Sequence, residues 1–326
     1  MIDDLLVRFP EQFSFQPIIE NGKVGEEFSH RAVGGMGGSH LAAGLLNTID
    51  PAQSLWIHKE YGLPPFTESQ ARETLFIASS YSGNTEETLD FARAAHAKTY
   101  SLAVVASGGE LLQFAQEKGI PFVRLPLLPT PPRMNIGLSV RAFTALLGAK
   151  ELFEELGRLT SALDTNAAYE QGQILAHLLM GKIPLIYASA RNFPLAYQWK
   201  ISFNENSKVQ AFCNMLPEAA HNEIEGFDGG SHNPHIPFFL IMLADSADHP
   251  RIKKRMTLIQ ESYEKRGVPV AVVSLTGGTK SEKIFGSVLT ANATAIALAK
   301  GYGNEAMQTP LLDQLKEKMR GDREIS

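Results

Sequence analysis

The sequence predicts an α/β protein made of two tandem doubly wound parallel-sheet units, and three observations carry that expectation. Short β-rich apolar runs alternate with helical stretches from residue 31 onward, the alternation begins again at "IPLIYAS" (183–189), and the strand candidates lack strict polar alternation. Strands alternating with helices build a parallel sheet covered on both faces, and strands buried on both faces read as unbroken apolar runs. A chain of 326 residues exceeds ordinary single-domain size. The expected division is therefore 1–152 and 153–326, with an added C-terminal helix on the second unit.

In the first unit the expected strands are "RAVGG" (31–35), "SLWIH" (54–58), "TLFIASS" (74–80), "SLAVVAS" (101–107) and "IPFVRLP" (120–126). The helical segments between them are "SHLAAGLLNTI" (39–49), "TEETLDFARAAHA" (85–97) and "GELLQFAQEKG" (109–119). The proline-rich "LPLLPTPPR" leads into "GLSVRAFTALLGAKELFEEL" (137–156), expected as one closing helix running toward a linker. The second unit follows with "IPLIYAS", "PLAYQWKISFNENSKVQA" (194–211), "PFFLIMLAD" (237–245), "RIKKRMTLIQESYEKRG" (251–267), "VPVAVVSL" (268–275) and "FGSVLTANATAIALAKGYG" (285–303). The last segment, "TPLLDQLKEKMRG" (309–321), reads as a helix with a polar face followed by a polar tail.

Composition narrows the function. Apolar residues make up 44% and charged residues 20%, enough hydrophobic material for full cores. A net charge of -5 and a pI near 6.0 argue against nucleic acid or an anionic membrane as partner, because both need clustered Lys and Arg. The start "MIDDLLVRFPEQ" lacks the apolar core of a signal peptide, and no stretch is expected to approach the ~20 apolar residues of a membrane span. A cytoplasmic protein is the expectation. The single cysteine, Cys213, excludes intramolecular disulfides and cysteine-rich metal sites and is expected to be a small core residue.

Two strand-to-helix junctions stand out, "VGGMGGSHLAAG" (33–44) and "SSYSGNTEET" (79–88). At the carboxyl ends of parallel strands such loops line the ligand crevice, and the following helix aims free N–H groups and a positive dipole end into it. That suits a phosphate dianion. Gly34, Gly35, Gly37 and Gly38 would let the backbone come close and Ser39 would donate from the first turn, while Ser80, Ser82 and Thr85 surround Gly83 and Asn84. Glu86 and Glu87 fit the dipole of the next helix. Taken singly, the glycine stretch is equally a tight turn, and serine-rich turns cap helices without binding anything. A dinucleotide site is disfavoured because "WIHKEYG" offers no convincing ribose-binding acid, Glu60 notwithstanding.

"GMGGS" (35–39) with "SYSGNTEET" (80–88) resembles the sugar isomerase (SIS) domain family, flavodoxin-like modules that grip the phosphate of a phosphosugar. The likeness continues through "PPR" (131–133), "FNENSK" (203–208), "LPEAAHNEIEG" (216–226) and "TPLLDQLK" (309–316), which together resemble the bifunctional phosphoglucose/phosphomannose isomerases. It covers nearly the whole chain, and the later motifs are the more specific ones. The resemblance implies Gly38, Ser39, Ser80, Ser82, Gly83, Asn84 and Thr85 as the phosphate site and hexose 6-phosphates as substrates, with no cofactor and no metal.

Aldose–ketose isomerisation opens the sugar ring, moves a proton between C2 and C1, and stabilises the enediolate between them. By itself Glu205, flanked by Asn204 and Asn206, is equally a solvated surface acid; the resemblance assigns it as the base acting on carbon. Arg133 follows two prolines and could anchor the linker, whereas the resemblance sets its permanent charge beside the enediolate oxygen. His221 is implied to open the ring and to reach the site from the other subunit, so a homodimer with shared active sites is implied too. Lys316 completes the set from the C-terminal helix, and Thr309 matches a threonine that leaves room for rotation about C2–C3. Glucose 6-phosphate and mannose 6-phosphate differ only at C2 and share one enediol, so slack around the base yields both activities.

His40 departs from the family pattern, which often has glycine there. His232 and His235, three apart in "GGSHNPHIP", lack evident acidic or histidine partners at ligand spacing, and the chemistry needs no metal. A non-catalytic phosphosugar-binding regulator is the alternative function, disfavoured because no helix-turn-helix segment is evident. The isomerase half of a glucosamine 6-phosphate-forming amidotransferase is also disfavoured: the chain starts Met1-Ile2 and its only cysteine is Cys213.

Overall fold

A computed structural model describes residues 4–24, 28–228 and 237–321. The first unit comprises α1 (Asp4–Arg8), β1 (Ile19–Glu20), β2 (His30–Gly34), α2 (Gly38–Ile49), β3 (Leu55–His58), α3 (Glu68–Arg72), β4 (Thr74–Ser80), α4 (Glu86–Ala97), β5 (Leu102–Ala106), α5 (Gly109–Glu117) and β6 (Phe122–Arg124). Three helices follow, α6 (Ile136–Leu146), α7 (Lys150–Ala162) and α8 (Thr165–Leu179). The second unit holds β7 (Ile183–Ser189), α9 (Phe193–Ser202), β8 (Phe212–Leu216), β9 (Phe238–Ala244), α10 (Pro250–Lys265), β10 (Val270–Ser274), α11 (Lys280–Tyr302) and α12 (Pro310–Gly321).

The first sheet runs β1-β6-β5-β4-β2-β3, parallel throughout except that β1 lies antiparallel to β6. The second runs β10-β9-β7-β8 and is parallel. In each unit the chain steps outward by one strand and then crosses back, so strand order reverses between β2 and β4 and again between β7 and β9. These switch points open the crevices where ligands bind in such sheets. Every residue of β4 and β5 is buried, the signature of strands covered on both faces.

The expected single closing helix is two helices, because the chain turns at Gly148, whose φ of 65° no right-handed helix accommodates. α8 starts afresh at Asp164, whose carboxylate accepts the Ala167 N–H at 2.9 Å as an N-cap. The sequence reading also passed over β8 and β1. Both are edge strands, where one flank has no neighbour to bury and the apolar signal thins. Cys213 sits on β8 half-buried rather than deep in the core, and burial pushes its thiol up to about 11.

α11 is long and apolar enough to cross a membrane by length and composition, which corrects the expectation that no stretch comes near that length. Its most apolar window is 78% buried inside the molecule, packed against α8 and α9. One continuous core joins the units: Val33, Ile77 and Val105 of the first sheet share it with Trp199 and Phe203 and with Phe285 and Leu289 of α11. Trp199 is fully buried and its indole N–H donates to Ser287 Oγ at 3.0 Å, so a side chain contributing about 3 kcal/mol by burial also has its polar atom satisfied.

Candidate active site

The loops after β2 and β4 leave neighbouring strands, with Gly34 paired to Ala78, and so emerge side by side. Ser39 Oγ accepts the Tyr81 N–H at 3.3 Å and ties one loop to the other. The second loop folds on its own hydroxyls: Ser80 and Thr85 share a hydrogen bond at 2.8 Å, and the Gly83 N–H donates to Ser80 Oγ at 3.1 Å. Asn84 is partly committed elsewhere, since its Oδ1 accepts the Glu110 N–H of α5 at 3.1 Å. Neither α2 nor α4 has a side-chain N-cap. Their first N–H groups and dipole ends therefore face the crevice without a side-chain oxygen at the cap, which is the arrangement an anion uses.

The glycines divide their work differently from the sequence-based expectation. A Cβ on Gly34 would meet the Phe91 ring at 2.5 Å, and one on Gly35 the Ser79 carbonyl at 2.7 Å, so both serve packing. Of Gly34, Gly35, Gly37 and Gly38, Gly37 alone combines positive φ with open space. Gly38 makes the decisive approach: a Cβ there would lie 3.1 Å from both Arg133 Cα and the Pro132 carbonyl oxygen. The first loop thus lies directly on the backbone that carries Arg133.

Arg133 sits in a short 3-10 turn, Pro132–Met134, only 5% exposed. Its guanidinium reaches across to the second unit. Nε donates to Asn206 Oδ1 at 2.5 Å, Nη2 donates to the Ala306 and Met307 carbonyls at 2.9 and 3.2 Å, and Nη1 lies 3.3 Å from Glu205 Oε2. Burial presses the Arg133 pKa below its usual value, and the Glu205 carboxylate offsets part of that. Of the five N–H donors, one on Nη1 is left over among these contacts with described residues.

Glu205 stands on a wide π-type turn, Phe203–Ser207, that extends α9, a geometry that recurs at functional sites. The turn is pinned on several sides: Asn204 Oδ1 accepts the Ala211 N–H at 2.9 Å, Ser207 Oγ donates to the Ala295 carbonyl at 2.9 Å, and Asn304 Nδ2 donates to the Ser207 carbonyl at 2.9 Å. The Glu205 side chain keeps 26% exposure, an ionisable group on a rigid mount with an open side. Asn206 is the partner that motif reading passed over. Its adjacency to Glu205 was visible, but its hydrogen bond to a residue 73 positions away was not.

The remaining candidates fall into two groups. Thr309 is half-buried and opens α12, its carbonyl accepting the Asp313 N–H at 3.0 Å. Asp313, one turn on, lies close enough to Arg133 to act on its charge. Lys316 is exposed on α12, and His221 is exposed on a 3-10 turn after β8. Among the described residues neither makes a hydrogen bond or ion pair with Arg133 or Glu205. His40 is buried instead of lining the loop: its ring lies 5.7 Å from that of Tyr197 on α9. Burial, aided by the Lys59 charge, pushes its pKa down to about 4. His232 and His235 lie outside the described residues.

The equivalent crevice of the second sheet is built differently. Asp245, at the end of β9, is buried and accepts from Arg191 at 2.5 Å, Lys283 at 2.8 Å and the Ala247 N–H at 3.0 Å. Burial alone would raise its pKa, but these donors outweigh burial and hold it at about 2. A resident carboxylate thus occupies the position where the first unit presents neutral N–H and hydroxyl groups. A cavity of about 580 Å³ adjoins it, lined by residues of β9, β10, α10 and α11 including Met256, Val272 and Lys283. It contains neither Arg133 nor Glu205, and its two lysines already donate to Asp245 and Ser246. Chemistry points to the shallower Arg133–Glu205 site.

Residues 169–319 match the bacterial phospho-glucose isomerase C-terminal SIS domain. The chain is 30% identical over 295 residues to the bifunctional phosphoglucose/phosphomannose isomerase of Thermoplasma acidophilum, with 90% of each chain covered. It is 29% identical over 294 residues to the enzyme of the same name from Aquifex aeolicus, covering 88% of this chain and 89% of that one. Among solved structures, the C-terminal domain of glucosamine-fructose-6-phosphate aminotransferase from Francisella tularensis superposes with a TM-score of 0.69 at 14% identity, covering 93% of this chain and 97% of that one. That last likeness speaks to the fold.

Proposed function

The chain belongs to the bifunctional phosphoglucose/phosphomannose isomerase family, and on that premise we propose that it interconverts glucose 6-phosphate and mannose 6-phosphate with fructose 6-phosphate. The observation that carries the proposal is the Arg133–Glu205 pair, 3.3 Å apart, standing beside a loop with the donors for a phosphate. The phosphate takes the Gly38 N–H, the Ser39 hydroxyl and the loop of Ser80, Ser82, Gly83, Asn84 and Thr85. The sugar then extends toward Glu205.

Glu205 removes the C2 proton of the open-chain aldose, and the electrons of that C–H bond form the enediolate as the carbonyl at C1 becomes an oxyanion. The uncommitted Arg133 N–H supports this charge from a buried position, where little water competes. The O2 proton then passes to O1, and as the C2–O bond becomes a carbonyl the double-bond electrons take the proton back from Glu205 at C1, which gives the ketose. Since the enediol has lost the C2 stereocentre, reprotonation at C2 from either face gives glucose or mannose 6-phosphate. Thr309, at the start of α12, leaves the C2–C3 bond room to turn.

The exposure of His221 and its lack of contact with Glu205 among the described residues support a homodimer in which the partner subunit's imidazole opens the ring. Lys316 joins the same site from α12. We place the activity in the cytoplasm and in the absence of a cofactor. Glu205→Gln keeps shape and removes the base: isomerisation of both substrates is expected to fall at least about 1,000-fold while fructose 6-phosphate still binds. Turnover near that of the wild type would refute the assignment and favour a phosphosugar-binding regulator.

A further inference from the structure

Lys208 ends the turn that carries Glu205, yet the proton-transfer scheme makes no use of it. Its backbone is left-handed, with φ 60° and ψ 31°. Glycine takes that conformation without strain, so a lysine there implies something supplied by the side chain. Nζ donates to the Glu205 carbonyl at 2.5 Å and approaches the Asn206 and Ala306 carbonyls at 3.5 Å each, the outer limit of hydrogen bonding. An ammonium has three N–H donors, and three carbonyls surround this one. Two belong to the Glu205 turn. The third belongs to the bend that Arg133 Nη2 also grips, three residues before Thr309.

We propose that Lys208 is a positioning residue for the isomerase reaction: its ammonium clamps the Glu205 turn to the 305–307 bend, holding the carboxylate against Arg133. The inference rests on Glu205 being the base. The charged groups facing Lys208 are Arg133, Glu205 and Glu305, with Asp313 acting on Arg133 from α12. Two cations and the base therefore meet at one bend, and removing one of the cations loosens the mount.

The test compares Lys208→Met, Lys208→Arg and Lys208→Gly in the full-length protein, with kcat and KM for fructose 6-phosphate followed from pH 5 to 9. Lys208→Met is expected to lose about 10- to 100-fold in kcat with KM changed less than about threefold, because misplacing a reacting group costs turnover more than phosphate grip. Lys208→Arg recovers most of the lost kcat. Lys208→Gly relaxes the backbone, so it is thermally at least as stable as Lys208→Met and yet equally slow. A Lys208→Gly or Lys208→Met enzyme with kcat within about twofold of wild type overturns the clamp, provided Glu205→Gln is inactive in the same assay. An active Glu205→Gln enzyme sinks the parent assignment and the clamp together. Should Lys208→Met fail to fold, the Lys208→Arg and Lys208→Gly pair makes the same comparison.

Discussion

Gly83 offers the sharpest test of how the phosphate loop is held. It has φ 71°, and a Cβ there would land on the Gly108 carbonyl oxygen, with Gly109 Cα only 3.1 Å away. Both obstacles are backbone and cannot swing aside, so Gly83→Ala must separate the 82–84 loop from the 108–109 turn. Two hydrogen bonds cross that seam, Leu111 N–H to the Gly83 carbonyl at 2.9 Å and Glu110 N–H to Asn84 Oδ1 at 3.1 Å. Their loss at about 1 kcal/mol each, plus about 1 kcal/mol for alanine at positive φ, sums to about 3 kcal/mol. In a chain of this length that is a fall of about 4 to 5 °C in Tm. The displaced loop also carries Ser82 and Asn84 away from the α4 N-terminus, so KM for fructose 6-phosphate should rise about tenfold, equivalent to about 1.4 kcal/mol of lost phosphate binding. Gly303→Ala is the control, because its left-handed backbone, φ 70° and ψ 21°, brings the αL strain of alanine but nothing lies within 4 Å. It should cost only about 1 kcal/mol. Differential scanning calorimetry reads Tm and a coupled assay reads KM. A Gly303→Ala protein as destabilised as Gly83→Ala, or a Gly83→Ala protein with wild-type Tm and KM, would show that the loop–turn seam is not what shapes this site.

Two further outcomes are expected. The folded pKa of His40, about 4, lies below its ordinary 6.5, so the folded state binds this proton less readily than the unfolded chain and the stability tied to the neutral ring is lost as pH falls below 6.5, reaching about 2 kcal/mol by pH 5. His40→Phe keeps the ring beside Tyr197 and should show a flatter dependence when urea midpoints at pH 7.5 and 5 are compared; parallel slopes would remove His40 as the source. Mixing Glu205→Gln subunits with His221→Ala subunits should restore up to about one quarter of wild-type activity, since half the dimers are hybrid and each hybrid has one intact site. No recovery despite demonstrated subunit exchange would argue against a histidine supplied by the partner.

Strands buried on both faces were readable from the sequence because their residue choice answers to a single demand. "TLFIASS" is β4 residue for residue and "IPLIYAS" is β7. β8 escaped notice because it is an edge strand, with Phe212 and Met215 exposed and Asn214 in its middle, so no periodic apolar signal survives. The break at Gly148 inside an otherwise helical pattern was overridden by the apolar periodicity on either side. At the site the residue types were visible and their pairings were not. Nothing near "PPR" announces that its arginine will bond Asn206 and the carbonyls of 306 and 307, because those contacts span 73 to 174 positions and exist only once the shared core has brought the units together.

That dependence on the shared core bears on why only one of two related crevices takes part in the proposed chemistry. Both sheets reverse strand order at a crevice, and both place polar residues at its mouth. In the first unit the donors come from backbone N–H groups and hydroxyls with no side-chain cap on either helix, so an incoming dianion competes only with neutral carbonyls and hydroxyls. In the second, Asp245 already holds Arg191 and Lys283, and an external anion would have to displace a buried carboxylate and leave it uncompensated, at a cost of several kcal/mol. The second unit contributes something else: a turn pinned to α11 that delivers Glu205 to an arginine rooted in the first unit. Splitting the pair in this way makes the relative placement of the units a condition for chemistry. Substitutions that loosen the packing of α2 on α9, such as at His40 or Tyr197, should therefore lower kcat before they disturb phosphate binding, which the first unit governs alone.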